Sequence, residues 1–391
     1  MIATLIPDAP GSDGKTILRI LLVGNYPPDA QESMLRYAQL LYAALRDAGC
    51  EVRLAVPRAA LNVAQHATRG TWKWIGYLDK YLVSVPGLAR AARSADLVHI
   101  CDHSNSVYVP ARATIPYVVT CHDLLAVRGA LGEDTDCPAS FTGRLLQKSI
   151  LRGLRRANAL ACVSNATLDD ARRLLPDYDG TVILTRNALN YPYRTLDRNT
   201  ADLRLASIPG IYRDRPFVLN VGSNLRRKNR EAVLRSFAAA LPRWNGGLVF
   251  AGQALTPQLR ELAAALRITD RIVEVASPSN EILEALYNRA LALHFPSRFE
   301  GFGWPVLEAQ ACGCPVICSD REPLPEVSGG AALLCDADDI EGLTAAILTL
   351  ADRADAREEL QRRGLANAAR FTNAAMVGNL VALYERLAAA A

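Results

Sequence analysis

Glu300 and Glu308 stand eight residues apart around a glycine-rich loop, within Phe295-Pro-Ser-Arg-Phe-Glu-Gly-Phe-Gly-Trp-Pro-Val-Leu-Glu-Ala-Gln-Ala-Cys-Gly-Cys-Pro-Val316. A carboxylate at the position of Glu308 can accept hydrogen bonds from sugar hydroxyls. The spacing alone says little, because 16 Glu in the chain give roughly one such pair by chance. The setting gives it weight. A buried-type apolar strand ends at Pro296, and Gly301-Phe302-Gly303 forms a permissive loop. Pro305 then suits the first position of a helix, where its missing N–H costs nothing. The amides of Phe302, Gly303 and Trp304 fall at the positive end of that helix, a place for a phosphate or an ionised leaving group. Glu308 is expected in the first helical turn and Glu300 over the loop.

Other polar groups punctuate strand ends. Arg226-Arg227-Lys228 follows the strand that ends near Val221, and His122-Asp123 follows Tyr117–Cys121. A charge run is usually solvated and a lone His is usually structural, so position must decide. Lys is scarce, 5 against 39 Arg, which makes Lys228 beside a loop conspicuous. Asp-x-Asp occurs as Asp134-Thr-Asp136, Asp177-Tyr-Asp179 and Asp336-Ala-Asp338, in unrelated contexts that suggest chance. Cys312-Gly-Cys314 is too tight for the usual zinc spacing and has no second pair. No metal site and no bound cofactor are expected.

These residues need a scaffold. Strands are expected at Ile17–Val23, Glu51–Val56, Leu97–Ile100, Tyr117–Cys121, Leu160–Val163 and Val182–Leu184, with helices between most of them. The first helix runs from about Glu32 to Ala48 and stops at Gly49. From Asn190 to Pro216 the pattern breaks. A second series follows at Phe217–Val221, Leu248–Phe250, Arg271–Val275, Leu291–Phe295, Pro315–Cys318 and Ala331–Leu334. This is an α/β chain of two Rossmann-like, mostly parallel sheets. The expected division is 1–190, a linker at 191–215, a second domain at 216–370, and a terminal helix at 371–391 returning toward the first domain. Such sheets bind ligands at the carboxyl ends of their strands, so the chemistry is expected where the two domains face across a cleft.

Composition agrees. At 391 residues, 50% hydrophobic and 21% charged, the chain can build two ordinary cores. A net charge of +4 is too mild for nucleic acid. No apolar run reaches the ~20 residues that span a bilayer. Nine scattered Cys without a secretory segment suggest reduced thiols in a cytoplasmic protein. A nicotinamide dehydrogenase is disfavoured, because the first strand leads into Gly24-Asn-Tyr-Pro-Pro28 and not Gly-x-Gly-x-x-Gly.

The Glu300–Glu308 segment resembles the Glu-x7-Glu signature of family 4 retaining nucleotide-sugar glycosyltransferases, which have the two-Rossmann GT-B fold. The similarity takes in Leu286-Tyr287-Asn288, Leu324-Pro325-Glu326-Val327, Ala331–Leu334, Val221-Gly222-Ser223, Arg227-Lys228-Asn229, Asn25-Tyr26-Pro27-Pro28 and His122-Asp123. The resemblance implies sugar transfer, with retention, from a GDP- or UDP-linked donor to an acceptor hydroxyl. It places Glu300 by the donor sugar, Glu308 on the ribose, and Arg227 and Lys228 on the diphosphate. Fixed cations aimed at a departing diphosphate are worth several kcal/mol of barrier. The resemblance puts His122 near the sugar, with Asp123 beside it, and makes a metal-independent hexosyltransferase of polysaccharide or glycolipid assembly. Two positions depart from it. Glu32-Ser33 stands where many relatives have Gly-Gly, which suggests a side-chain contact from Ser33 beside Asn25 and Tyr26 on the acceptor side. Ser223 stands on the donor side where many have Arg, leaving more of the charge to Arg227.

Two alternatives stay open: a catalytically silent subunit of the same fold, and a sugar phosphorylase or nucleotide-sugar epimerase. A third question concerns 143–157. Arg144, Lys148, Arg152, Arg155 and Arg156 share one helical face and Leu146, Ile150, Leu151 and Leu154 the other. This is either an ordinary surface helix or a basic face resting on anionic lipid at the inner membrane face, with a lipid-linked or sugar acceptor nearby. Trp72-Lys73-Trp74-Ile75-Gly76-Tyr77 could serve the same interface or pack an acceptor lid.

Overall fold

A computed structural model describes residues 17–61, 71–211 and 215–390; the side chains of 71–74 lie outside that description, and with them the expected role of Trp72 and Trp74. Two compact units emerge: Met1–Asn190 with Asn373–Ala391, and Tyr191–Thr372.

The first unit is a six-stranded sheet of β1 (Arg19–Val23), β2 (Glu51–Ala55), β3 (Leu97–Ile100), β4 (Tyr117–Cys121), β5 (Ala159–Cys162) and β6 (Thr181–Leu184). The order is β2-β1-β3-β4-β5-β6, every pair parallel. β3, β4 and β5 are buried along their whole length. That explains why they appear in the sequence as mostly apolar runs, with His99 and Thr120 the polar exceptions: strands of a parallel sheet are covered on both faces. From β1 the chain leaves to one side for β2 and to the other for β3. The carboxyl ends of β1 and β3 therefore flank a topological switch point, the natural ligand crevice of such a sheet.

The helix Glu32–Asp47 packs Tyr37, Leu41 and Leu45 onto this sheet. The last helix, Asn373–Ala389, joins the same unit. Its buried Tyr384 hydroxyl bonds His99 Nδ1. His99 Nε2 lies 2.7 Å from Thr120 Oγ1, which is 2.9 Å from Tyr37 Oη. One polar chain thus joins the last helix to β3, β4 and the first helix.

The second unit repeats the plan. Its strands are β7 (Phe217–Gly222), β8 (Gly247–Gly252), β9 (Ile272–Ala276), β10 (Ala292–Phe295), β11 (Val316–Ser319) and β12 (Leu333–Cys335). The order is β12-β11-β10-β7-β8-β9, again parallel throughout. Its switch point lies between β7 and β10. The loops after these two strands carry Arg227-Lys228 and Glu300.

Boundaries differ from expectation in instructive places. The segment 191–215 contains a helix, Arg198–Leu205, capped by Asp197 accepting from the Thr200 amide. It is fastened to the second unit: the Leu196 amide donates to Asn288 Oδ1 at 2.7 Å and Arg204 reaches Glu284 at 2.5 Å. Its polar composition hid it. The basic helix begins at Phe141, two residues before Gly143, because Ser140 caps it by accepting from the Gly143 amide.

Candidate functional site

The loop after β7 turns through a short 3-10 segment, Arg226–Lys228, and ends at Asn229 in the left-handed region (φ 53°). The loop after β10 comes alongside. The Arg298 amide donates to the Arg227 carbonyl at 2.8 Å, and Arg227 Nη1 donates to the Phe299 carbonyl at 2.8 Å. This pair of bonds, one between backbones and one from the Arg227 side chain, brings the charged groups together. Lys228 Nζ lies 2.6 Å from Glu300 Oε1, and Arg227 Nη1 3.3 Å from Glu300 Oε2. Burial alone would raise the Glu300 carboxyl, but Lys228 and Arg227 outweigh it and hold it below the usual carboxylate range. The result is an ionised carboxylate between two cations at a strand-end crevice.

Arg230 holds the β7 loop in shape. Its buried guanidinium donates to Asn224 Oδ1 at 2.6 Å and to the carbonyls of Gln253 and Gly222 at 2.7 Å each. Burial lowers its pKa to about 10. A guanidinium taken out of water costs several kcal/mol unless such acceptors surround it. Ser223 is half-buried in the same loop.

Beyond Glu300, Gly303 adopts φ 98° and caps the helix Trp304–Ala311, with Pro305 in its first turn. A Cβ on Gly303 would lie 2.5 Å from Leu324 Cδ2, so no other residue fits without a shift. Phe302 is buried with its ring 6.0 Å from Phe371, and Trp304 is half-buried. Helix numbering corrects one expectation: with Trp304 first, Glu308 is the fifth residue and lies in the second turn. It is 4% exposed, and its Oε2 accepts from the Tyr287 hydroxyl at 2.9 Å. Burial, and then the Glu308 charge, push the Tyr287 phenol well up, so Tyr287 stays a donor.

In the first unit the switch-point loops hold a polar network. Asn25, buried, donates from Nδ2 to Gln31 Oε1 at 2.5 Å and to Asp102 Oδ2 at 2.6 Å, and accepts from Asn105 at 3.2 Å. Asp102 also accepts from Ser104 N and Oγ, at 3.0 and 2.6 Å, and lies 3.2 Å from His103 Nδ1. Burial opposes its ionisation, yet His103 and Ser104 leave it well below the usual range. Tyr26 is buried and donates to Asp79 at 2.9 Å. Lys80 pairs with Asp29 at 2.9 Å and lies 5.0 Å above the Tyr77 ring. Ser33 is exposed in the first turn of its helix. The loop takes its left-handed turn at Ala30 (φ 49°), not at a glycine.

His122 is packed inward. Its Nε2 donates to the Cys101 carbonyl at 2.9 Å, its ring lies edge-on to Tyr37 at 4.5 Å, and its carbonyl accepts from Thr167 at 3.3 Å. Burial lowers its pKa. Asp123 accepts from the Leu125 amide at 3.1 Å, as a turn-forming residue does. Asp102, Lys80 and Arg230 carry much of this geometry without having been singled out by sequence, and Tyr287 entered only through the resemblance, with no role given to it. Asp102 and Lys80 had a usable signal: the first follows a buried strand at a switch point, and the second is one of only five Lys. Among the described residues no group of three or more His, Cys, Asp or Glu is placed to hold a metal ion. Among them, too, no helix is long and apolar enough to cross a membrane.

Comparison with known proteins places both units. Residues 204–367 match the family described as "Glycosyl transferases group 1", and residues 34–187 match "Glycosyl transferase 4-like domain". The O-antigen chain mannosyltransferase B of Escherichia coli is 30% identical over 278 residues, 69% of this chain and 70% of that protein. The D-inositol 3-phosphate glycosyltransferase of Nocardia farcinica is 29% identical over 289 residues, 70% of this chain and 62% of that one. Among solved structures, sucrose-phosphate synthase from Thermosynechococcus elongatus superposes with a TM-score of 0.74 at 21% identity, covering 96% of this chain and 100% of that one. Anabaena HepE in complex with UDP and glucose gives 0.70 at 16%, covering 94% and 100%.

Proposed function

The chain belongs to the group 1, family 4-like glycosyltransferases and has their GT-B fold, and from that premise we propose that it moves a hexosyl group, with retention, from a nucleoside diphosphate sugar to an acceptor hydroxyl. The observation that carries this is the carboxylate–cation cluster of Glu300, Lys228 and Arg227 at the switch point of the second unit. Glu300 offsets one of the two positive charges and leaves the cluster net positive. A donor diphosphate arriving there shares them, and the cations then face the charge that grows as the diphosphate leaves. The amides at Phe302, Gly303 and Trp304 add the positive end of a helix. Glu308, held by Tyr287, presents its carboxylate for the ribose hydroxyls, and Ser223 lies on the donor side. Two fixed cations and a helix end replace the divalent ion, so the reaction is metal-independent.

The acceptor falls to the first unit, with Asn25, Tyr26 and Ser33 on the loop after β1. Asn25 and Tyr26 act through the backbone they fix, since both side chains are buried in internal bonds. Ser33 presents an exposed hydroxyl. His122 and Asp123 shape the neighbouring loop. The acceptor is a sugar or a lipid-linked sugar, in polysaccharide or glycolipid assembly, and the protein works in the cytoplasm at a membrane face. The O-antigen relative supports the polysaccharide role, and the UDP complex of a protein with this fold puts UDP-sugars in the first test panel beside GDP-sugars.

The test is a thermal-shift panel of GDP- and UDP-linked sugars. Binding at one hundred times Kd adds about 2.7 kcal/mol of stability. A donor that raises Tm in wild type and not in Lys228→Ala supports the reading; no shift with any nucleoside diphosphate sugar contradicts it.

A further inference from the structure

The helix Phe141–Arg156 carries two faces. Ile150, Leu151, Gly153 and Leu154 are buried against the first unit. Contact is close: a Cβ on Gly153 would lie 2.1 Å from the Ser106 carbonyl oxygen, and Ser106 Oγ donates to the Ile150 carbonyl at 2.8 Å. This fixes the helix and its rotation. The opposite face is exposed and holds Phe141, Arg144, Leu145, Lys148, Arg152, Arg155 and Arg156. At ~100° per residue these seven fall within an arc of about 120°.

Three features of this face are unusual together. The helix contains no acidic residue. None of its five cations makes an ion pair with a described residue, whereas Arg128 and Arg173 of the same unit are both bonded to Glu133 and Asp170. At its amino end two large apolar side chains stand in solvent, Phe141 at 85% and Leu145 at 58% exposure.

We propose that this face docks on an anionic phospholipid surface, with Phe141 and Leu145 entering the interface and the five cations lying over phosphate headgroups. Charge complementarity selects the occupant. A second copy of the chain would present the same positive stripe and be repelled. A nucleic acid or a free polyphosphate would satisfy the cations but offers no apolar phase to the phenyl and isobutyl groups. A lipid interface offers both, and long basic side chains reach headgroups while their stems cover apolar surface. The inference deepens the proposed lipid-linked acceptor and rests on that reading for its purpose, whereas the binding itself needs no turnover.

The experiment is sedimentation of the full chain with vesicles of phosphatidylglycerol and phosphatidylcholine in equal parts, against vesicles of phosphatidylcholine alone. The wild type should bind the first and not the second at low salt. Reversal of three cations, R152E/R155E/R156E, should weaken binding by more than about 100-fold. F141D/L145D should weaken it about tenfold or more while leaving the cations in place. Melting curves establish that each variant is folded, and K148E/R152E replaces any variant that is not. Absence of binding to the mixed vesicles at low salt overturns the proposal. So does equal binding to pure phosphatidylcholine, or wild-type binding by F141D/L145D, which would mark the face as a polyanion site. Donor turnover measured without vesicles stays at wild-type level in these variants, so failure here is distinguishable from failure of the transferase reading.

Discussion

Lys228 Nζ donates to Glu300 Oε1 at 2.6 Å across the crevice between the loops that follow β7 and β10. The two residues are 72 positions apart in the chain, and the parallel pairing of β7 with β10 makes them neighbours. Lys228, with Arg227, holds the Glu300 carboxyl below the usual carboxylate range. A salt bridge this sheltered contributes little net stability, because desolvation offsets much of the attraction. In the proposed reading its value is positional: the cation is fixed where the donor diphosphate would leave.

The two glutamates should separate kinetically. Glu308 lies on a helix, bonded to Tyr287, where it would meet a ribose that changes little during transfer. Glu308→Gln should raise donor KM more than it lowers kcat, the pattern of lost uniform binding. Tyr287→Phe should do the same more weakly. Glu300→Gln should lower kcat by roughly 10²-fold or more with a smaller KM effect, because in the proposed reading the sugar distorts and gains charge beside it. The reverse pattern in steady-state kinetics would swap the two roles.

Transfer should survive removal of divalent ions. In the proposed reading Arg227 and Lys228 supply the positive charge that a divalent ion would otherwise bring to the diphosphate. Activity after exhaustive EDTA treatment should equal that with added Mg²⁺. Loss on chelation, restored by Mg²⁺ or Mn²⁺, would show that the cations are insufficient.

Acid should destabilise both units, starting near pH 6.5. His99 in the first unit and His294 in the second are each pushed by burial down to about 3. In the unfolded chain both titrate near 6.5. With the folded pKa below the unfolded one, the folded state binds fewer protons. The stability they permit is then complete above about pH 6.5 and is lost progressively as pH falls toward 3. At pH 5 the loss is about 2 kcal/mol for each. Urea midpoints between pH 8 and pH 5 measure it. His99→Gln, less stable at pH 8 because Tyr384 and Thr120 lose their partner, should show a flatter pH dependence. An unchanged slope would contradict the assignment.

Much of this molecule was legible because parallel strands are buried on both faces. β3 and β4 were located to the residue, since their few polar side chains, His99 and Thr120, satisfy each other inside and a denser polar stretch follows each strand. The strand–loop–helix around Glu300 was legible because Gly303 and Pro305 each have a conformational reason to be there. What escaped was tertiary. Arg230 looks like one more surface arginine until the carbonyls of Gly222 and Gln253 are seen around it. Tyr287 stood within the resemblance, but its bond to Glu308 has no local signal, because the two are 21 residues apart on different helices. The helix Arg198–Leu205 is polar, and its place is set by bonds to Glu284 and Asn288 that only the fold brings near. His122 is a further case: its ring packs on Tyr37 and bonds the Cys101 carbonyl, contacts that no sequence pattern shows.

The most direct measurement of the account is nucleoside diphosphate release from GDP- and UDP-linked sugars by wild type and Lys228→Ala, with a folded state established for both. The wild type should turn over at least one donor, and Lys228→Ala should lower kcat/KM for it by about 100-fold or more, as expected for a fixed cation facing a leaving diphosphate. Release by Lys228→Ala at the wild-type rate would contradict the account, because the charge on the leaving group would then be met somewhere other than the crevice between β7 and β10.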